Sequence, residues 1–102
     1  MTIHKHVSDD NKQVIISIED RFDFSVHQHF RNAYVDFNTA GTEINIDLSK
    51  TSYMDSSALG MILLLKDHAE KFSCTFKITK PNDTVNKILE IAQFHRLMTI
   101  EK

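Results

Sequence analysis

The sequence predicts one α/β domain, a mixed four- to five-stranded sheet with helices packed on one face. Three observations lead there. Short β-branched runs alternate with stretches of helical apolar spacing, in the order β-β-α-β-α-β-α-(β). "TEINIDLS" sets Ile44, Ile46 and Leu48 against Glu43, Asn45 and Asp47, and "CTFKIT" sets Cys74, Phe76 and Ile78 against Thr75, Lys77 and Thr79. Strands covered on both faces read as continuous apolar runs, so this alternation leaves one sheet face to water. Finally, each helix between two strands is long enough for a crossover, which makes part of the sheet parallel.

The elements follow in order. "VIISI", Val14 to Ile18, is short and β-branched, a strand, and a weaker one precedes it around Ile3 to Val7. "SVHQHFRNAYVDF" places Val26, Phe30, Ala33, Tyr34 and Phe37 at helical spacing. Ser25, with Gln28 three residues on, fits a capping box and predicts that this helix starts there. The two alternating strands flank a helix from about Ser56 to Lys71. Its expected core stripe is Leu59, Ile62, Leu63 and Phe72, widened by Met61, Leu64 and Leu65. A last helix, about Asp83 to Phe94, shows Val85, Ile88, Leu89 and Ala92 at the right spacing, and "LMTI" reads as a short edge strand.

Composition narrows the function classes. The 102 residues suffice for one domain, residues 1–102, and a core of this size needs no staple. A formal net charge of −2 speaks against nucleic-acid binding, which needs clustered Lys and Arg. The single cysteine, Cys74, has no internal disulfide partner, which fits a reducing compartment. The opening "MTIHKHVSDD" has no apolar leader region, and the near-apolar run Ala58 to Leu65 is far short of the roughly 20 residues a membrane span needs. The expectation is a soluble cytoplasmic protein without a membrane partner.

The residues that invite chemistry lie in "SYMDSSALGMILLLK". Ser56 and Ser57 follow Asp55 and open a helix. One reading is capping, with Asp55 or Ser56 accepting a first-turn N–H, a contribution of about 1 kcal/mol. Another is a phosphoacceptor: a phosphate on Ser56 would sit at a helix N-terminus, where free N–H groups and the dipole favour an anion. A hydrolase nucleophile fits poorly, because the stretch is not G-x-S-x-G and no paired base is evident. The acids of "SIED", Asp55 and Lys80 together are similar to a response-regulator receiver. Chain order speaks against that, since only one helix and one strand separate Asp55 from Lys80. Lys80 and Pro81 read instead as the end of a strand, with Pro81 turning the chain into the last helix. His4-x-His6 and His27-x-His29 read as solvated surface residues, with no metal site and no cofactor implied. Met61 is open between burial against neighbouring helices and a place on a partner surface, a use to which methionine is suited.

The run "MDSSALG", in a strand-turn-helix context, resembles the phosphorylation motif of the STAS-domain anti-sigma factor antagonists, D-S-[ST]-G-L-G. "FDFS" falls where that family has an acid-bearing loop, "IDLSKTSYMDSS" matches the approach to the phosphosite, and the likeness spans about residues 3 to 100. The resemblance implies a STAS fold and no enzymatic activity. It implies phosphorylation at Ser56, with Ser57 helping to position the loop, Asp55 beside it, and Asp23 as the loop acid implicated in kinase contact. Asp23, Phe24, Met54, Ser56, Ser57, Ala58 and Met61 are then expected to meet the partner. Leu59 and Gly60 match the family's L-G pair, Gly60 being expected to let helix and sheet approach closely. Ala58 departs from the usual Gly, and Asp20-Arg21 stands where Gly-Glu is common. The implied partners are an anti-sigma factor or HATPase-type serine kinase and a PP2C-type phosphatase, in a bacterial switch that frees a sigma factor. Alternatives within the family are a biofilm or motility regulator with a non-sigma partner, and a ligand-sensing or scaffold module whose serine is never modified.

Overall fold

The computed structural model describes residues 3–102. Strands β1 (Ile3–Val7) and β2 (Gln13–Ile18) form an antiparallel hairpin. Parallel to β2 lies β4 (Glu43–Asp47), then β6 (Thr75–Thr79), then the edge strand β7 (Thr99–Glu101). The sheet order is β1-β2-β4-β6-β7, five strands of mixed direction. Two further strands, β3 (Asp20–Phe22) and β5 (Thr51–Met54), pair in parallel as a separate two-stranded ladder.

One sheet face is dry and the other wet, as the alternation predicts. Val14, Ile16, Ile18, Ile44, Ile46, Leu48 and Ile78 are wholly buried. Their neighbours Ile15, Ser17, Asn45 and Lys77 are half-buried. The polar face is laced by side chains: Lys77 reaches Glu43 at 3.1 Å and Glu101 at 3.5 Å, and the Thr79 hydroxyl donates to Asn45 Oδ1 at 2.9 Å. The helices α1 (His27–Tyr34), α2 (Ser56–Lys71) and α3 (Asp83–Ile91) all send residues into the single core cluster on the dry face.

Three sequence expectations need correction. The first helix does not open with a Ser25–Gln28 capping box. Asp23 caps a single 3-10 turn over Phe24–Val26, and α1 begins only at His27, after Val26, which makes no side-chain cap bond. The carboxylate two residues upstream takes both the amide and the hydroxyl of Ser25, so that hydroxyl is not free to cap. The buried stripe of α2 is Ala58, Met61, Ile62, Leu65 and Ala69, and Leu63 points outward. Spacings of three and four from Ala58 set that phase, and the run of consecutive leucines concealed it. The last helix ends at Ile91, not Phe94. Gln93 is left-handed, φ 60°, and a second 3-10 turn (Phe94–Arg96) folds Phe94 back into the core. Such a residue just past a helix end stops the ladder and redirects the chain.

The strand pair β3–β5 is what places the candidate site. Asp20, at φ 62°, breaks β2 from β3, and its N–H donates to the Lys50 carbonyl at 2.9 Å. The buried Thr51 hydroxyl donates to the Ile18 carbonyl at 2.6 Å, fastening the start of β5 to the end of β2. Asn82, the N-cap of α3, donates through Nδ2 to the Thr51 carbonyl at 2.8 Å and accepts the Val85 N–H at 2.7 Å. Thus β5 is held from both sides, and its last residue is aimed from a rigid base. Asp20 also accounts for a departure noted above: the family's common Gly there suits a positive φ, and Asp tolerates it through its short polar side chain.

Candidate functional site

β3 and β5 end side by side, with Phe22 opposite Met54 and both turned into the core. The Asp55 N–H donates to the Phe22 carbonyl at 3.3 Å, carrying the ladder one step further. Each strand is then followed by the same local device. Asp23 accepts the Ser25 amide at 3.0 Å and the Ser25 hydroxyl on the same oxygen. Asp55 accepts the Ala58 amide at 3.1 Å and the Ser57 hydroxyl at 2.6 Å on one oxygen. Two Asp-x-Ser caps therefore stand next to each other at the carboxyl end of a parallel pair. Asp55 is the N-cap of α2, in extended conformation at φ −109°. Of the two capping readings, Asp55 is the one observed.

This arrangement separates the two serines. Ser57 is half-buried and bound to Asp55. Ser56, the first residue of α2, is exposed, and its hydroxyl stands outside the cap. Along α2, Ser56, Gly60, Leu63 and Asp67 share one exposed face. Gly60 does not serve close helix–sheet approach: a Cβ there would meet nothing within 4 Å. Gly60→Ala is accordingly expected to stabilise the fold by about 0.5–1 kcal/mol, read as a raised urea midpoint at unchanged slope.

The expected contact residues are only partly brought together. Asp23, Asp55, Ser56 and Ser57 gather at the strand ends, and Phe24 beside them is 63% exposed, stacked on His27 at 4.1 Å. Met54 and Ala58, at 1% and 0% exposure, are core residues and offer a partner no surface. Met61 is resolved mainly toward burial, at 7%, on the wall of a shallow cleft of about 50 Å³ between α1 and α2, with His27, Phe30, Arg31, Tyr34 and Leu64. Of three exposed neighbours, the sequence places Leu64 in the core stripe, marks Arg21 only as a departure from the family's common Glu, and gives no sign of Tyr53. Leu64 is 61% exposed on the rim of that cleft. Arg21 and Tyr53, partners across the β3–β5 ladder, stack with the guanidinium 5.2 Å from the ring. Among the described residues, no three His, Cys, Asp or Glu side chains gather as metal ligands. His4 lies 2.7 Å from Glu19, and His27 Nδ1 lies 3.1 Å from the Phe24 carbonyl.

The Ser25 hydroxyl, then the Ser25 amide, hold the Asp23 carboxyl below its ordinary 3.8, and Arg21 adds a weaker attraction. A carboxyl depressed in the folded state contributes stability that is complete above the unfolded pKa of about 3.9 and is lost as pH falls through the folded value. Asp23→Asn should therefore flatten the acid limb of the stability curve below about pH 4. Thermal midpoints of both proteins across that range check this, and parallel curves would contradict it.

Comparison with known proteins bears on this geometry. Residues 6–99 match the family described as "Mlab, STAS domain". The chain belongs to the STAS domain family. A STAS-domain containing protein of Pseudomonas aeruginosa (strain UCBPP-PA14) is 40% identical over 100 residues, covering 98% of this chain and 99% of that protein. Among solved structures, a candidate anti-sigma factor antagonist of Thermotoga maritima superposes with a TM-score of 0.84 at 22% identity, over 98% of this STAS domain and 86% of that chain. The anti-sigma factor antagonist SpoIIAA in its unphosphorylated form superposes at 0.75 with 19% identity, over 98% and 87% of the two chains. At these identities the structures establish the fold, which is the one the resemblance implied. Among the described residues no helix is long and apolar enough to cross a membrane.

Proposed function

We propose that this STAS domain is an anti-sigma factor antagonist that works by partner switching. Unmodified, it binds an anti-sigma factor or serine kinase. Phosphorylated on Ser56 it lets that partner go, and a PP2C-type phosphatase restores it. The chain itself turns over no substrate. The observation that carries the reading is the division of labour after Asp55: Ser57 is tied into the cap, and Ser56 stands free at the mouth of a sixteen-residue helix. Adding a phosphate to Ser56 disturbs neither the cap nor the core. It places about −1.5 to −2 charges on the exposed face of α2 that continues to Leu63, where a docked partner would have to desolvate them. The likeness to SpoIIAA and to the Thermotoga protein points the same way.

In the transfer, Ser56 Oγ attacks the γ-phosphorus of ATP. The Oγ–P bond forms as the bond to ADP breaks, and the hydroxyl proton passes to a base on the kinase or to water. Incubation with the kinase and ATP, followed by intact mass, tests the site. Wild type is expected to gain one phosphate and Ser56→Ala none. A phosphate that persists on Ser56→Ala moves the site elsewhere.

A further inference from the structure

The cation near the candidate phosphosite is Arg21. It lies opposite Tyr53 in the β3–β5 ladder, one residue before Phe22, which turns into the core opposite Met54. Because side chains alternate along a strand, Arg21 and Tyr53 share the outer face. That face leads to Asp23, just past the end of β3, and to Asp55 and Ser56, just past the end of β5, where the two strand ends lie side by side. The guanidinium is already drawn toward this end: it lies 5.2 Å from the Tyr53 ring, and its Nε is 3.5 Å from Asp23 Oδ2. That contact to Asp23 is loose for a hydrogen bond. Asp23 does not depend on it, since its other oxygen takes both groups of Ser25.

Building on the switch reading, we propose that Arg21 receives the phosphate on Ser56, leaving Asp23 to pair with it. The charged groups gathered where these two strands end are the acids Asp23 and Asp55 and the cation Arg21. A phosphoserine carries about twice the charge of a carboxylate and offers three acceptor oxygens, the geometry a guanidinium fork binds in bidentate fashion. Tyr53 keeps the fork near the strand end in both states. The modified form is then a rearranged surface as well as a more negative one. Arg21 is withdrawn from the face it presents to a partner, and the phosphate is held against the domain. The common Gly-Glu in place of Asp20-Arg21 would put an acid where this chain has its receiver, so the device is particular to chains with a base at this position.

The test uses the full chain with phosphoserine installed at position 56 during synthesis, so that it needs no kinase. Phosphorus NMR then follows the second ionisation of the phosphate, ordinarily near pKa ~6. With Arg21 present it is expected to be depressed. Arg21→Gln should raise it by about half a unit, the size of an exposed charge pair, with Arg21→Lys in between. The Arg21 Nε–H signal should also move between the unmodified and modified wild-type proteins, a reading that requires no variant to fold. Coincident titrations of wild type and Arg21→Gln, or an Nε–H signal that stays in place, would overturn the proposal. If the kinase leaves Ser56 untouched while the installed phosphate still titrates low, the switch reading fails and the Arg21 assignment stands.

Discussion

Ser56→Asp is expected to bind the unmodified protein's partner about a hundredfold more weakly than wild type, and Ser56→Ala to bind about as tightly. The argument rests on where the charge goes. Ser56 is exposed on a face that continues through Gly60 and Leu63. A partner seated there covers small and apolar groups, and a hydroxyl lost from that face forfeits at most one hydrogen bond to the partner, about 1 kcal/mol. A carboxylate in the same place must shed water as the partner docks, a cost of several kcal/mol that an exposed pairing with Arg21 offsets by at most about 1 kcal/mol. At about 1.4 kcal/mol per decade, a loss of about 3 kcal/mol is roughly a hundredfold. The phosphate itself, with twice the charge, should reach about 4 kcal/mol and a thousandfold. Isothermal titration calorimetry on the three proteins reads this out. Equal affinities for Ser56→Asp and wild type would remove charge from the mechanism.

Much of the fold was legible because its signals are local. Ile44, Ile46 and Leu48 against Glu43, Asn45 and Asp47 announce a strand with one dry face, and that face proved dry. The start of α2 was legible from Asp55-Ser56-Ser57, although residue types alone left the capping group open. Geometry decides it, since only the Asp55 carboxylate reaches both Ala58 N–H and Ser57 Oγ. What escaped was either too short or too distant. β3 has three residues and β5 four, below the length at which alternation speaks. The contact of Arg21 with Tyr53 joins residues far apart in sequence, and it exists only because Asp20 and Thr51 bring β3 beside β5. Leu63 reads as core in the sequence because five consecutive apolar residues, Met61 to Leu65, fit more than one helical phase. Tertiary packing selected Ile62 and Leu65.

Met54→Ala is expected to lower folding stability by about 3 kcal/mol, a large part of what a domain of this size possesses. Met54 is placed by the family resemblance among the residues expected to meet the partner. It is 1% exposed, opposite Phe22, whose ring lies 5.0 Å from that of Phe30. Together Met54 and Phe22 form the floor beneath both Asp caps. Truncating Met54 removes apolar contact and opens a cavity in the core beneath β3 and β5, and the surrounding structure relaxes only partly. The melting midpoint should fall by about 15 °C. Met54→Leu, which nearly conserves volume, should cost less than about 1.5 kcal/mol. A surface contact would behave in the opposite way, with a small stability change for Met54→Ala and a loss of partner affinity for both variants. Denaturant titration beside calorimetry at a temperature where all three proteins are folded separates the two cases. If Met54→Leu binds the partner like wild type while Met54→Ala is strongly destabilised, Met54 supports the presentation of Ser56 from below and does not itself touch the partner.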